Sequence, residues 1–201
     1  MRSEWLAGLR TLHTNTILAT SFSLSCWARL HSFGCDSLVP ARRKRQTLSH
    51  VLADGSVKMV DVSAKRASVR EARAEARMRF SRRAAKTVRA AGLKKGDALA
   101  TAQIAGILAA KQTPALIPLT HAIPLSGVDV NFRWEQDVLV VQTEARTTAQ
   151  TGVEMEALVA AAIAALTVYD MTKSLERGTS IQRLSLIEKS GGKSGSWKVP
   201  H

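Results

Sequence analysis

Cysteine is nearly absent: Cys26 and Cys35, both within the first 46 residues, are the only two in 201. Their spacing fits no metal-ligand pattern and the rest of the chain has no thiol, so neither a disulfide framework nor a thiolate zinc centre organises the fold. Aromatic residues make up only 4% of the sequence. That removes most of the stacking platforms on which single-stranded nucleic-acid binders rely, and no nucleic-acid motif stands in for them. Acidic residues are outnumbered, 16 against 29 Lys and Arg, for a formal net charge of +13. So basic a chain calls for an anionic partner, whether nucleic acid, a membrane surface or a phosphorylated small molecule. The apolar stretch from Ile17 to Ala28 is broken by Thr20, Ser21, Ser23 and Ser25, which leaves it too short and too polar to span a bilayer.

The excess charge is unevenly spread. Residues 1–46 hold seven Lys and Arg and two acids, Glu4 and Asp36, a net of +5, which leaves +8 for the remainder. This leader, rich in Ser, Thr and Arg, differs in composition from residues 47–201 and is read as lying outside the fold. An Arg-rich, acid-poor transit peptide and translation from a wrongly assigned upstream start both fit it. The first would place the mature protein in the mitochondrial matrix; the second, taken here as the expectation, makes it cytoplasmic. The cluster Arg42, Arg43, Lys44 and Arg45 reads as a solvated linker. Residues 47–201 form one domain, with 45% hydrophobic content over the whole chain, enough for one core and hardly two.

That domain is organised around Thr151–Lys173. Between Glu156 and Asp170 the sequence carries no charge and no strong breaker, so it reads as a single buried helix of several turns. At 100° per residue Glu156 and Asp170 fall roughly 40° apart on one face, but fourteen residues separate them by roughly 21 Å along the axis. They cannot form a carboxylate dyad acting on one atom. Either the two ends serve different sites, or a neighbouring subunit or a long substrate completes one. Asp170 and Lys173, at i and i+3, can meet directly. Such a pair is commonly an ordinary helix-surface ion pair, although a charge at the edge of so apolar a helix is costly unless paired or used.

The remaining elements follow from local pattern. Val69–Phe80 alternates apolar and charged residues, a strand with one wet face. Ser81 caps a short helix ended by Gly92, and Asp97 caps a second helix, Ala98–Lys111, rich in small residues. Lys94 and Lys95 precede that helix N-terminus, where phosphate oxygens are favourably held. Pro114 ends the helix, and His121 sits in the apolar loop Leu116–Leu125 between Pro118 and Pro124. A lone histidine there is more often a hydrogen-bonded core residue than a catalyst, but the flanking prolines would hold its ring still. Two strands, Val128–Trp134 and Val138–Glu144, join through Glu135–Asp137; a last strand, Ile181–Ile187, comes after the long helix, and the glycine-rich tail reads as flexible from about residue 190. The order predicts an α+β domain with helices on one face of a mostly antiparallel sheet. Its candidate polar groups are Lys95, His121, Glu154, Glu156, Asp170 and Lys173.

Six segments carry a resemblance. KMVDVSAK (Lys58–Lys65), KKGDALATAQIAGILAAKQT (Lys94–Thr113), LIPLTH (Leu116–His121), TGVEMEAL (Thr151–Leu158), YDMTK (Tyr169–Lys173) and KSGGKSG (Lys189–Gly195) are similar, in order and in register, to the MoaC family of cyclic pyranopterin monophosphate synthases. The resemblance runs from about Leu48 to Lys198. It implies a ferredoxin-like α+β sandwich and a homohexamer, a trimer of dimers, with sites between subunits. It further implies a lyase of molybdenum cofactor biosynthesis that converts a cyclic dihydroguanosine triphosphate, supplied by a radical GTP cyclase, into cyclic pyranopterin monophosphate and diphosphate.

By motif, the resemblance assigns Asp170, Lys173, Lys95 and His121 to catalysis. Leu119, Thr120, His121, Glu154, Met155, Glu156 and Lys189 fall to substrate binding. It calls for no metal and no cofactor beyond magnesium accompanying the triphosphate. The chemistry asks for these residue types: ring opening and rebuilding need a carboxylate and an amine to move protons, and loss of diphosphate needs cations on the phosphoryl oxygens. Thr120 and Thr172 stand where the family has cysteine, Ala122 and Ile123 replace Pro-Leu, and Gln103 and Gln112 replace arginines. A noncatalytic homologue, or a basic nucleic-acid-binding module, is the alternative.

Overall fold

The computed structural model describes residues 50–52, 54–90 and 97–200. The leader (1–46) and the catalytic candidate Lys95 lie outside these.

The alternation in the first strand shows directly in its burial. In β1 (Ser68–Arg79) Ala72, Ala74, Ala76 and Met78 are all buried, while Arg73 and Arg79 are exposed. Ser81 accepts a hydrogen bond from the Ala84 amide at 3.3 Å and starts α1 (Arg82–Arg89). Asp97 accepts from Leu99 and Ala100 at 2.9 and 3.1 Å and starts α2 (Ala98–Lys111). The side-chain oxygens thereby satisfy amides that the helix itself leaves without partners. Pro114 does more than end α2: it sits in the first turn of a four-residue helix α3 (Thr113–Leu116), where a missing N–H costs nothing. The hairpin strands β2 (Leu125–Glu135) and β3 (Val138–Ala149) are longer than the sequence pattern marks and turn through Gln136, whose φ is 51°. The long helix α4 spans Glu154–Thr172, and β4 covers Ser180–Ser190.

One expectation is corrected at the C-terminus. The stretch read as a flexible end folds back, and β5 (Trp197–Lys198) pairs antiparallel with β4 through Glu188↔Lys198 and Lys189↔Trp197. Gly191 and Gly192, with φ of 89° and 72°, make the turn; a Cβ on Gly191 would lie 2.2 Å from the Val69 carbonyl oxygen. Glycine there permits both a left-handed backbone and close approach to β1. The glycine-rich sequence is therefore a packed turn.

The sheet runs β2-β3-β1-β4-β5, antiparallel throughout, and its first four strands with the intervening helices follow the β-α-β-β-α-β order of a ferredoxin-like sandwich. The fold is thus the α+β class expected. By length and composition α4 could cross a membrane. Here it is the core helix, burying Ala157, Ala161, Ala164, Ala165 and Val168 in the same cluster as the inner face of β1. Alanine and glycine along α2 and α4 let the two helices approach closely. A Cβ on Gly106 would meet the Ala160 carbonyl oxygen at 3.0 Å, Val130 at 3.1 Å and Ala164 at 3.2 Å. Gly106→Leu is therefore expected to overpack this crossing and cost about 1–3 kcal/mol, read as a lowered urea midpoint at unchanged slope.

The opposite face of the sheet carries paired charges. Arg73 meets Glu144 at 2.9 Å, Arg77 meets Glu75 at 3.0 Å and also Glu135, and Arg146 meets Asp129 at 2.7 Å and Glu144 at 2.5 Å. Cross-strand register accounts for this, since Arg73 stands opposite Glu144 on β3 and Glu188 on β4. Each exposed pair is worth only about 0–1 kcal/mol. Their effect is to give Arg73, Arg77 and Arg146 carboxylate partners on that face.

Candidate active site

Two threonines on the inner face of β3 set the positions of the elements that build the site. Thr143 Oγ1 donates to the Ala157 carbonyl in the first turns of α4 at 2.8 Å, and Thr147 Oγ1 donates to the Pro124 carbonyl at 2.5 Å. The first anchors the N-terminal end of α4; the second anchors the loop that carries His121. Both hydroxyls lie in buried side chains, where an unmet donor would be costly. They hold loop and helix to the same strand.

Between that loop, the start of α4 and residues 60–65 lies a cleft of about 300 Å³, lined by Leu119, Thr120, His121, Glu154, Met155 and Glu156 together with His50, Val60 and Lys65. Six of the seven residues assigned by resemblance to substrate binding thus share one cavity. His121 Nε2 is 2.8 Å from the Val60 carbonyl oxygen. A carbonyl only accepts, so Nε2 carries the hydrogen and Nδ1 is the ring nitrogen left to exchange a proton. Beside it, Asp61 accepts from the Ser63 amide at 2.9 Å. The Ser63 hydrogen bonds hold the Asp61 carboxyl below its usual value, with Lys58 and His121 adding to the effect. Asp61 thus stays ionised near the ring.

Glu156 is the buried carboxyl of the cleft, 3% exposed. Burial pushes it above the usual carboxylate range and Glu154 adds to the rise, while a hydrogen bond from its own backbone amide pulls the other way. A carboxyl whose value is raised in the folded state costs stability once pH climbs past its unfolded value, because the folded protein then holds a proton the unfolded chain has released. Glu156→Gln is therefore expected to raise the melting temperature at neutral pH. The gain should vanish below about pH 4, where both states are protonated. Paired thermal scans of wild type and variant check both.

The cleft opens into a larger hollow of about 920 Å³ that shares Lys65, Thr151, Gly152 and Glu154 with it and adds Arg66, Arg70, Lys193 and Ser194. Arg70 donates to the Ala149 carbonyl at 2.9 Å and to the Gln150 carbonyl at 3.0 Å, which fixes its guanidinium at the rim. Lys189, on β4, donates to Ser194 and so ties the glycine turn to this wall. Lys65, Arg70 and Lys193 escaped the sequence reading as site residues, although Lys65 and Lys193 lie inside the motifs KMVDVSAK and KSGGKSG. The signal was present, but only the folded turn brings those motifs to one wall.

Asp170 and Lys173 are elsewhere. They close the C-terminal end of α4, with Lys173 Nζ 2.5 Å from Asp170 Oδ1 and the side chains 49% and 62% exposed for Lys173 and Asp170. Helix geometry puts them roughly 21 Å from Glu156 along the axis, so one chain does not unite them with the cleft. The threonines at family cysteine positions are satisfied locally: Thr120 donates to the Ile117 carbonyl at 2.9 Å and Thr172 to Val168 at 2.7 Å. Gln103, where the family has arginine, donates to the Val130 carbonyl at 3.0 Å. Among the described residues no group of three or more His, Cys, Asp or Glu side chains is placed to hold a metal ion.

Comparison with known proteins bears on this arrangement. The sequence model of the MoaC family matches residues 59–192. The cyclic pyranopterin monophosphate synthase of Rhodopirellula baltica is 50% identical over 161 residues, covering 75% of this chain and 92% of its own length. That of Streptomyces avermitilis is 46% identical over 158 residues, 79% of this chain and 93% of the relative. That of Bacillus licheniformis is 47% identical over 154 residues, 75% and 92%.

Proposed function

The chain belongs to the MoaC family, and from that we propose that it acts as a cyclic pyranopterin monophosphate synthase, a lyase of molybdenum cofactor biosynthesis. Its substrate is (8S)-3',8-cyclo-7,8-dihydroguanosine 5'-triphosphate, and its products are cyclic pyranopterin monophosphate and diphosphate. The observation that carries the reading is that the cleft of motif residues Leu119, Thr120, His121, Met155 and Glu156 adjoins, across the shared Lys65, a hollow lined by the cations Arg70 and Lys193. A pterin-forming base needs a partly apolar cleft with a few fixed proton donors and acceptors. A triphosphate needs an adjoining wall of cations.

In this reading the roles divide by chemistry. His121, through Nδ1, and the elevated carboxyl of Glu156 orient the base and exchange protons with its nitrogens. Lys65, Arg70, Lys189 and Lys193 hold the phosphates and stabilise charge on the leaving diphosphate. Asp170 and Lys173 together form the acid/base core of the ring rearrangement, and Lys95 belongs with them by motif. Magnesium would arrive with the triphosphate as part of the substrate.

Because Asp170 and Lys173 stand at the far end of α4 from the cleft, the working site is completed by a second copy of the chain, within a homohexamer built as a trimer of dimers. Ile104 and Leu108 on α2 and Leu166 on α4 are more than half exposed and offer apolar surface for such contacts. The substrate comes from a radical GTP cyclase acting upstream. Cytoplasmic residence belongs to the same proposal, and N-terminal sequencing of the native protein distinguishes it from import into mitochondria. The central test mixes purified protein with the cyclic dihydroguanosine triphosphate and follows diphosphate release and pterin absorbance together. Neither product from a folded oligomer would overturn the reading in favour of a noncatalytic homologue.

A further inference from the structure

The cations of α1 have no counterpart among the ion pairs of the sheet. The eight residues of this helix, RRAAKTVR, include Arg82, Arg83, Lys86 and Arg89 and no acid. On the sheet face Arg73, Arg77 and Arg146 each have at least one carboxylate within ion-pairing distance. On α1, among the described residues, Arg82, Lys86 and Arg89 have none. Arg82, Lys86 and Arg89 are spaced i, i+4 and i+7 and fall within roughly 60° of one another around the helix. Like charges so placed repel, and the helix tolerates them because Ala84, Ala85 and Val88 on its other side are buried in the core.

These three side chains do not merely face solvent. With Ala90, Gln136 and Asp137 they line a cleft of about 810 Å³ between α1 and the turn of the β2–β3 hairpin. Among the described residues Asp137 is the one acidic side chain of the lining, and it forms no ion pair with them. Arg89 is held in place: its guanidinium carbon lies 4.7 Å from the centroid of the Trp134 ring, and Trp134 packs in turn against Phe80 at 5.5 Å. A guanidinium fixed on an indole gives up little side-chain entropy when it binds an anion.

We propose that this cleft is a second anion site, distinct from the His121 hollow, and that it takes an oligophosphate group of two or three linked phosphates. Charge selects an anion, since three cations face one carboxylate. Length favours a chain of phosphates over a single one, because the backbone positions of Arg82 and Arg89 are about 10 Å apart along the helix and the Arg89 guanidinium is held over Trp134, so a longer anion meets all three cations with less displacement. Among the described residues the lining holds no aromatic side chain, so it offers a base no stacking surface and the phosphate chain is what it reads. Such a group could come from inorganic di- or triphosphate or from the tail of a nucleoside triphosphate.

The test is calorimetric titration of the full-length protein with inorganic triphosphate, and separately with GTP. Two binding events per chain are expected. Arg82→Glu with Lys86→Glu should weaken one of them by roughly a hundredfold or more, at about ten- to hundredfold per charged contact, and leave the other intact. Lys65→Ala with Lys189→Ala should do the converse. Equal affinity for the two probes identifies the phosphate chain alone as the ligand, and tenfold tighter GTP identifies a nucleotide tail. A single event per chain, or a second event indifferent to charge reversal on α1, would overturn the proposal. Circular dichroism confirms that the exposed substitutions leave the fold unchanged. Because the titration needs no turnover, its outcome is independent of the synthase activity.

Discussion

Lys173→Ala and Asp170→Asn are each expected to lower turnover by roughly 10²–10⁴-fold, the range supplied by a positioned general acid or base, with little change in stability. The two halves of that expectation come from one geometry. An ion pair with side chains 49% and 62% exposed contributes about 0–1 kcal/mol to folding, so its loss should leave the melting temperature almost where it was. Catalytic groups that move protons in the transition state, by contrast, act on the barrier itself, and their removal shows in kcat. Single-turnover kinetics on the cyclic dihydroguanosine triphosphate separate this from weakened binding, since substrate affinity should survive Asp170→Asn better than turnover does. Wild-type rates in both variants would mean that the pair is the ordinary surface contact its exposure suggests. The chemistry would then have to be sought in the His121 cleft alone.

The second large effect concerns the distance between the two ends of α4. If a working site draws its cleft from one copy of the chain and its Asp170–Lys173 pair from another, His121→Ala and Lys173→Ala proteins should each be nearly inactive alone. Mixed in equal amounts, dissociated and reassembled, they should recover about one quarter of wild-type activity, because random pairing across a subunit interface gives one site in four both intact halves. A site confined to one chain recovers nothing, since every chain carries one lesion. Recovery is thus a digital readout of a shared site. Light scattering on the same samples reports the mass of the assembly and separates loss of sharing from loss of assembly.

Much of the domain was legible because its elements are locally determined. Alternation in β1, the capping oxygens of Ser81 and Asp97, and the uninterrupted apolar run of α4 each follow from interactions within a few residues, and the structure places all of these elements close to where the pattern marks them. The order of those elements also limits the topology, since β-α-β-β-α-β with short connections leaves few ways to close one sheet. The six motifs in register identified the family without any structure, and with it the residues on which catalysis is expected to rest. The helical period alone already excluded Glu156 and Asp170 from acting together within one helix.

Other features depended on partners distant in sequence. The glycine-rich tail reads as flexible by composition. It is a packed turn because Gly191 and Gly192 meet Val69 and Arg70, residues more than a hundred positions earlier. The phosphate wall joins Lys65 and Arg70 from one end of the domain to Lys193 from the other, and no local pattern ties them. By pattern alone His121 reads more often as a core residue than a catalyst; the fold puts it in the cleft, with its Nε2 hydrogen on the Val60 carbonyl. The uncompensated cations of α1 were invisible as a feature, because only the folded register shows that Arg73, Arg77 and Arg146 on the sheet meet carboxylates while, among the described residues, Arg82, Lys86 and Arg89 on the helix meet none. Local propensity and periodicity thus determined the elements, their order and the family. Which charges are compensated, which carboxyl is raised and which lysines share a wall were decided by tertiary contact, because electrostatic energies depend on separation in space and on exclusion of water, neither of which spacing along the chain specifies.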